Sequence, residues 1–273
     1  MNLKKFASCL AMSFLFVGGT ATLLPAEPVP LTSVVNAAAQ GSGNFAIDKY
    51  TKEIQQNPKD VEAYFSRGLM YSGKENDKAI ADFSMVIKLE PNKTRGYLHR
   101  GIAYRNAKQY DKAVQDFDKA VSMEPQNGLN YINRGVTYYL SKNYDKARAD
   151  YNSAIQKGSG KSNLDPSVQA MLDKLGVSLD YSAQGYYGLA MIDYDQKNYS
   201  AALENFNKAI SKTPNEAMFY NSRAKCYKKL GDNAKAQADL QKAKELKRAS
   251  AAKLDDFSNS IYESAEMEIE DED

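Results

Sequence analysis

Tryptophan is absent from the 273-residue chain, histidine occurs once and cysteine twice. Any mechanism or metal site that needs two imidazoles is out of reach of a single copy, and two thiols cannot build a four-thiolate zinc site. Eight prolines, a hydrophobic fraction of 43% and a charged fraction of 26% exclude collagenous and wholly disordered classes. Charge of one sign is lacking too: 36 Lys and Arg face 34 Asp and Glu, for a net charge of +2. That balance argues neither for nucleic acid nor for a membrane surface as partner. What the chain has in plenty is tyrosine, with 19 residues.

The N-terminal segment reads as an address. Lys4 and Lys5 precede an uncharged apolar run from Phe6 to Val17, the charged and hydrophobic regions of an export signal. Ala37 and Ala39 supply an A-x-A site for cleavage before Gln40, with Ala21 as the alternative site; left uncleaved, Phe6 to Leu24 is long enough to anchor in a bilayer. Cys9 lacks the preceding leucine of a lipidation site, and removal of 1–39 leaves Cys226 as the sole thiol, so no internal disulfide can form. The expected location is outside the cytoplasm: periplasmic, cell-surface or secreted. A membrane enters only if the segment stays attached.

The body repeats itself. Ser66-Arg67-Gly68, His99-Arg100-Gly101, Asn133-Arg134-Gly135 and Ser222-Arg223-Ala224 recur, punctuated by Pro58, Pro91, Pro125 and Pro214, and the step from Gly101 to Gly135 is 34 residues. One complete copy runs Tyr97, Gly101, Tyr104, Tyr110, Ala113, Phe117, Ala120, Pro125. Spacings of 3, 4 and 7 place these residues on one face of each of two helices. Gly101 and Ala113 allow close approach of the pair, and Pro125 ends it. A hairpin of this kind cannot bury its apolar face alone, so copies must stack.

This pattern resembles the tetratricopeptide repeat family, with an aromatic at position 4, a small residue at 8, Tyr at 11, Ala at 20, an aromatic at 24, Ala at 27 and Pro at 32. Five copies match, at 61–91, 94–125, 128–159, 183–214 and 217–248. Thirteen of the tyrosines occupy positions 4, 11, 17 or 24. The resemblance implies an all-α, right-handed α-solenoid of helical hairpins. The organisation expected is a signal peptide at 1–39, a linker and N-terminal capping helix at 40–58, repeats one to three at 59–159, an inserted linker and helix at 160–182, repeats four and five at 183–248, and a helix extension with an acidic tail at 249–273. In the insert, Asp165-Pro166 starts a helix and Gly176 stops it. Its stripe of Val168, Met171, Leu172 and Leu175 either docks between stacks or faces a partner.

Chemical motifs are sparse. Gly158-Ser159-Gly160-Lys161-Ser162 follows a helix and has Ile155 where a phosphate loop needs Gly; it reads as a linker. Neither G-x-S-x-G nor H-E-x-x-H occurs. The chain is therefore expected to be no enzyme, and no cofactor or metal is expected. The resemblance instead implies an inner groove built from positions 2, 5, 9, 12 and 13 of the first helices. On this chain those are Phe65 and Leu69; Arg95, Leu98, Ile102 and Arg105; Ile132, Val136 and Tyr139; Tyr187, Met191 and Tyr194; and Asn221, Lys225 and Lys228. The wall is apolar and aromatic in the middle and basic at its ends. Chaperone-binding members clamp a terminal carboxylate with Lys and Asn at positions 5 and 9, where repeats one to four carry apolar or aromatic residues. The expected function is a protein-binding scaffold that takes an apolar or amphipathic peptide of an exported partner. The alternative is a self-associating component of a cell-envelope assembly.

Charge is segregated. Residues 254–273 hold nine Asp and Glu and no Lys or Arg. This tail is expected either to solubilise the chain or to fold back on Lys225 and Lys228.

Overall fold

The computed structural model describes residues 45–157 and 181–270, the side chains from 253 onward excepted. The signal segment and the inserted helix lie outside the described residues. Among those described, every regular element is a helix. The first, α1, covers 45–56. There follow α2 (Val61–Tyr71), α3 (Asn76–Leu89), α4 (Thr94–Asn106), α5 (Tyr110–Met123), α6 (Gly128–Leu140), α7 (Tyr144–Lys157), α8 (Tyr181–Asp195), α9 (Tyr199–Lys212), α10 (Ala217–Lys229) and α11 (Asn233–Glu270). They belong to two compact units, one ending at Asn143 and the other starting at Tyr144.

In the first unit α2 pairs with α3 and α4 with α5, and each pair packs on the next helix in sequence, α3 on α4 and α5 on α6. Local chemistry sets the ends. Asp60 caps α2 by accepting from the Ala63 amide at 3.0 Å, and Asn127 caps α6 through the Leu129 amide at 3.1 Å, each satisfying an orphan N–H of the first turn. The turns inside hairpins pass through the left-handed region at Gly73 (φ 81°) and Lys108 (φ 59°).

Close approach within a hairpin depends on the missing side chain at position 8. A Cβ on Gly101 would stand 2.8 Å from the Phe117 ring, and one on Gly68 would stand 2.8 Å from Phe83. Both rings are completely buried, which is worth roughly 2–3 kcal/mol each at about 25 cal/mol per Å². Gly96 does the same between hairpins, where a Cβ would meet Ile87 of α3 at 2.7 Å.

In the second unit α7 packs on α8, α8 pairs with α9, α9 packs on α10, and α10 pairs with α11. Gly185 and Gly188 let α8 lie against Ile155 and the Tyr151 ring of α7. As a result α8 is buried on every side: Ala183, Tyr187, Leu189, Ala190, Met191 and Ile192 are all in the core. The last helix is 38 residues against 13 in its hairpin partner α10, and its backbone stays helical through Glu270, within the stretch read as a helix extension with an acidic tail.

Candidate functional site: the inner faces of the first helices

The candidate groove residues fall on α2, α4 and α6 of the first unit and on α8 and α10 of the second.

An apolar strip is half-buried: Phe65 on α2, Leu98 and Ile102 on α4, and Ile132 and Val136 on α6. Phe65 packs edge-on to Phe83 (centroids 5.8 Å) and to His99 (5.0 Å, planes at 89°). Burial, helped by the nearby Arg95 guanidinium, pushes the His99 imidazole down to about 4. The ring is therefore neutral at physiological pH and serves as a packed aromatic.

The cations expected at the rim of this strip are committed. Arg95 lies 5.1 Å above the Phe65 ring, with Nη1 on Glu62 at 2.6 Å and Nη2 on Glu90 at 2.7 Å. Arg105 is a correction to the sequence reading. It is 7% exposed, sits over the Phe117 ring and donates from Nη1 to the Asn133 side-chain oxygen at 3.0 Å. Its charge ties α4 to α6 instead of facing a groove.

Four further candidates are also interior. Leu69 belongs to a cluster with Ala79, Phe83 and Ala103, and Tyr139 is buried. Tyr187 stacks on Phe219 (5.2 Å, 27°), touches Phe206 and shares a hydrogen bond with the Ser222 hydroxyl at 3.1 Å; burial pushes its phenol pKa up. Met191 is buried beside it on α8. The expected aromatic middle of the groove is thus core, because α8 has neighbours on both sides. Tyr194 is half-buried against Tyr199 (5.4 Å). On α10, Asn221 is half-buried, and Lys225 and Lys228 are exposed.

Sequence reasoning missed two sets of residues. Arg67, Arg100 and Arg223 each hold an aspartate of their own hairpin, Asp82, Asp116 and Asp239, with two hydrogen bonds of 2.7–2.9 Å. The signal was present as the recurrent Arg before Gly or Ala, with Asp fifteen or sixteen residues later. The fourth copy has Leu189 in the Arg position; there Arg148 of α7 reaches Asp193 at 2.6 Å, and Asn205 donates to the same carboxylate at 2.9 Å. The second set lines a depression of about 470 Å³ at the free end of the second unit, between Lys228 and the α11 residues Asn233, Gln237, Leu240, Gln241 and Lys244.

Among the described residues no cluster of His, Cys, Asp and Glu could hold a metal, and no helix is long and apolar enough to cross a membrane.

Four segments match sequence patterns described as tetratricopeptide repeat: residues 94–127, 130–156, 183–216 and 205–238. The chain belongs to the tetratricopeptide repeat family. It is thereby a helical-hairpin solenoid of the class used as protein-interaction modules. One stretch is 33% identical over 76 residues to the Hsp70-Hsp90 organizing protein of Triticum aestivum; the match takes in 24% of this chain and 13% of that protein's length. A tetratricopeptide repeat protein from Parabacteroides merdae ATCC 43184 superposes with a TM-score of 0.56 at 18% identity, over 78% of this chain and 76% of that one. BtubC (BKLC) from P. vanneervenii does so with a TM-score of 0.54 at 15% identity, over 77% and 89%. Both likenesses concern the fold.

Proposed function

We propose that this tetratricopeptide repeat protein is a non-catalytic scaffold whose first unit binds an apolar or amphipathic peptide segment of an exported partner protein. The observation that carries the reading is the half-buried strip of Leu98, Ile102, Ile132 and Val136. It keeps apolar surface available at matching positions of α4 and α6, while Arg95 and Arg105 beside it are engaged within the fold. A carboxylate-clamping chaperone adaptor fits less well, because positions 5 and 9 of the first three repeats are Phe65/Leu69, Leu98/Ile102 and Ile132/Val136. The N-terminal export pattern, Lys4-Lys5 followed by an apolar run, supports a partner outside the cytoplasm.

Covering about 400 Å² of apolar surface contributes roughly 10 kcal/mol gross. Ordering costs remove much of that, which leaves affinity no tighter than the micromolar range, or about −8 kcal/mol. The test is capture of extracytoplasmic proteins by the immobilised chain, compared with an Ile102→Asp/Ile132→Asp variant. Loss of capture with unchanged far-ultraviolet circular dichroism is expected; equal capture by the variant would sink the reading.

A further inference from the structure

The free end of the second unit carries a surface that the peptide-binding reading does not use. The outward side of α11 holds Leu240, 39% exposed, within the depression lined by Lys228, Gln237, Gln241 and Lys244. Lys225, Lys228 and Lys244 are exposed, and none enters an ion pair among the described residues. In a solenoid this is where a following helix would pack. Here α10 is the packing partner of α11, and α11 runs on instead of turning back to cover its own end.

Charges are sorted along the segment that runs from the end of α10 through α11. From 225 to 253 there are nine Lys and Arg against three Asp and Glu, one of which, Asp239, is held by Arg223. From 254 to 273 there are nine Asp and Glu and no cation. A return of the acidic end to its own basic end needs a break in the helix, yet the backbone of α11 is helical from Asn233 through Glu270. At about 1.5 Å per residue, position 261 lies roughly 30 Å along the axis from Leu240. The complementary charges within one copy are therefore held apart.

We propose that the depression at Leu240 takes the acidic segment 254–273 of a second copy of this chain, so that two α11 helices pair antiparallel about a two-fold axis near residue 250. Antiparallel pairing sets each basic half against the other copy's acidic half. Parallel pairing would set like charges together. The contact is the same patch on both copies, so the assembly closes at two. It also gives a partner to the part of α11 that outruns α10, since an isolated helical stretch is marginal in water.

The experiment is sedimentation velocity on the full chain and two charge-reversed variants, Lys225→Glu/Lys228→Glu/Lys244→Glu and Asp255→Lys/Asp256→Lys/Glu263→Lys. The unchanged chain should form a two-copy particle at low salt, with affinity falling at least about tenfold as salt is raised past the screening range. Each variant alone should pair at least about tenfold more weakly than the unchanged chain, because the first brings its basic half from a net +6 to neutral and the second cuts its acidic end from −9 to −3. An equimolar mixture of the two should pair more tightly than either variant alone, because one contact of the mixed particle sets an unchanged basic half against an unchanged acidic end. Circular dichroism checks that both variants fold, and the mixture itself shows that each is competent. An unchanged chain that stays single at low salt, or a mixture that pairs no more tightly than either variant alone, overturns the proposal and leaves the depression to a foreign partner.

Discussion

Arg100 donates from Nε and Nη2 to the two carboxylate oxygens of Asp116 at 2.8 and 2.7 Å, joining α4 to α5 with a paired fork. Its remaining nitrogen, Nη1, reaches the Ser84 hydroxyl of the preceding hairpin at 3.2 Å. Arg67 repeats the arrangement with Asp82 and Thr51, and Arg223 with Asp239 and Asn207. One side chain thus fastens a hairpin to itself and to its neighbour.

Asp116 is 5% exposed, so removing its partner strands a buried carboxylate. Arg100→Ala should destabilise the first unit by about 3 kcal/mol. Arg100→Lys should recover only part of that, since an ammonium cannot reproduce the fork. Urea midpoints of the three proteins check the order.

Gly101→Ala should cost about 1–3 kcal/mol, because its Cβ would lie 2.8 Å from the Phe117 ring and over-pack the hairpin. Phe117→Leu in the same chain should return part of the loss by making room. A double variant less stable than the sum of the two single changes would contradict this packing account.

The chain has one histidine, so its imidazole resonance can be followed without ambiguity. His99 should titrate near about 4 in the folded protein against 6.5 for the free side chain. The unfolded chain binds the proton first, so stability should rise with pH between about 4 and 6.5, by roughly 2–3 kcal/mol over the window. His99→Phe should flatten that part of the stability profile. Equal slopes for the two proteins would count against a neutral, packed ring.

Cys226 is buried, and burial pushes its thiol up to about 12. Thiolate is the reactive form. A thiol reagent at neutral pH should label the folded chain far more slowly than the unfolded one, and the labelling rate should follow local opening as urea is added.

The repeat, the helices and the hairpin contacts were legible because they depend on neighbours three, four or about sixteen residues away. Tyr97, Gly101, Ala113 and Phe117 announce their helical faces by spacing alone. Tyr187, Met191 and Arg105 were not legible in the same way. They occupy the same repeat positions as open residues elsewhere, and are closed off by what packs across from them: Phe206 and Phe219 around Tyr187, and Asn133 against Arg105.

By itself the sequence determined an all-α stack of tetratricopeptide hairpins and the segregation of charge along α11, because periodicity and composition are properties of local chain order. Only the tertiary structure decided which inner-face residues remain available and which are core. That depends on distances between helices, where a glycine such as Gly188 admits a ring from the next helix and burial becomes a property of two elements at once.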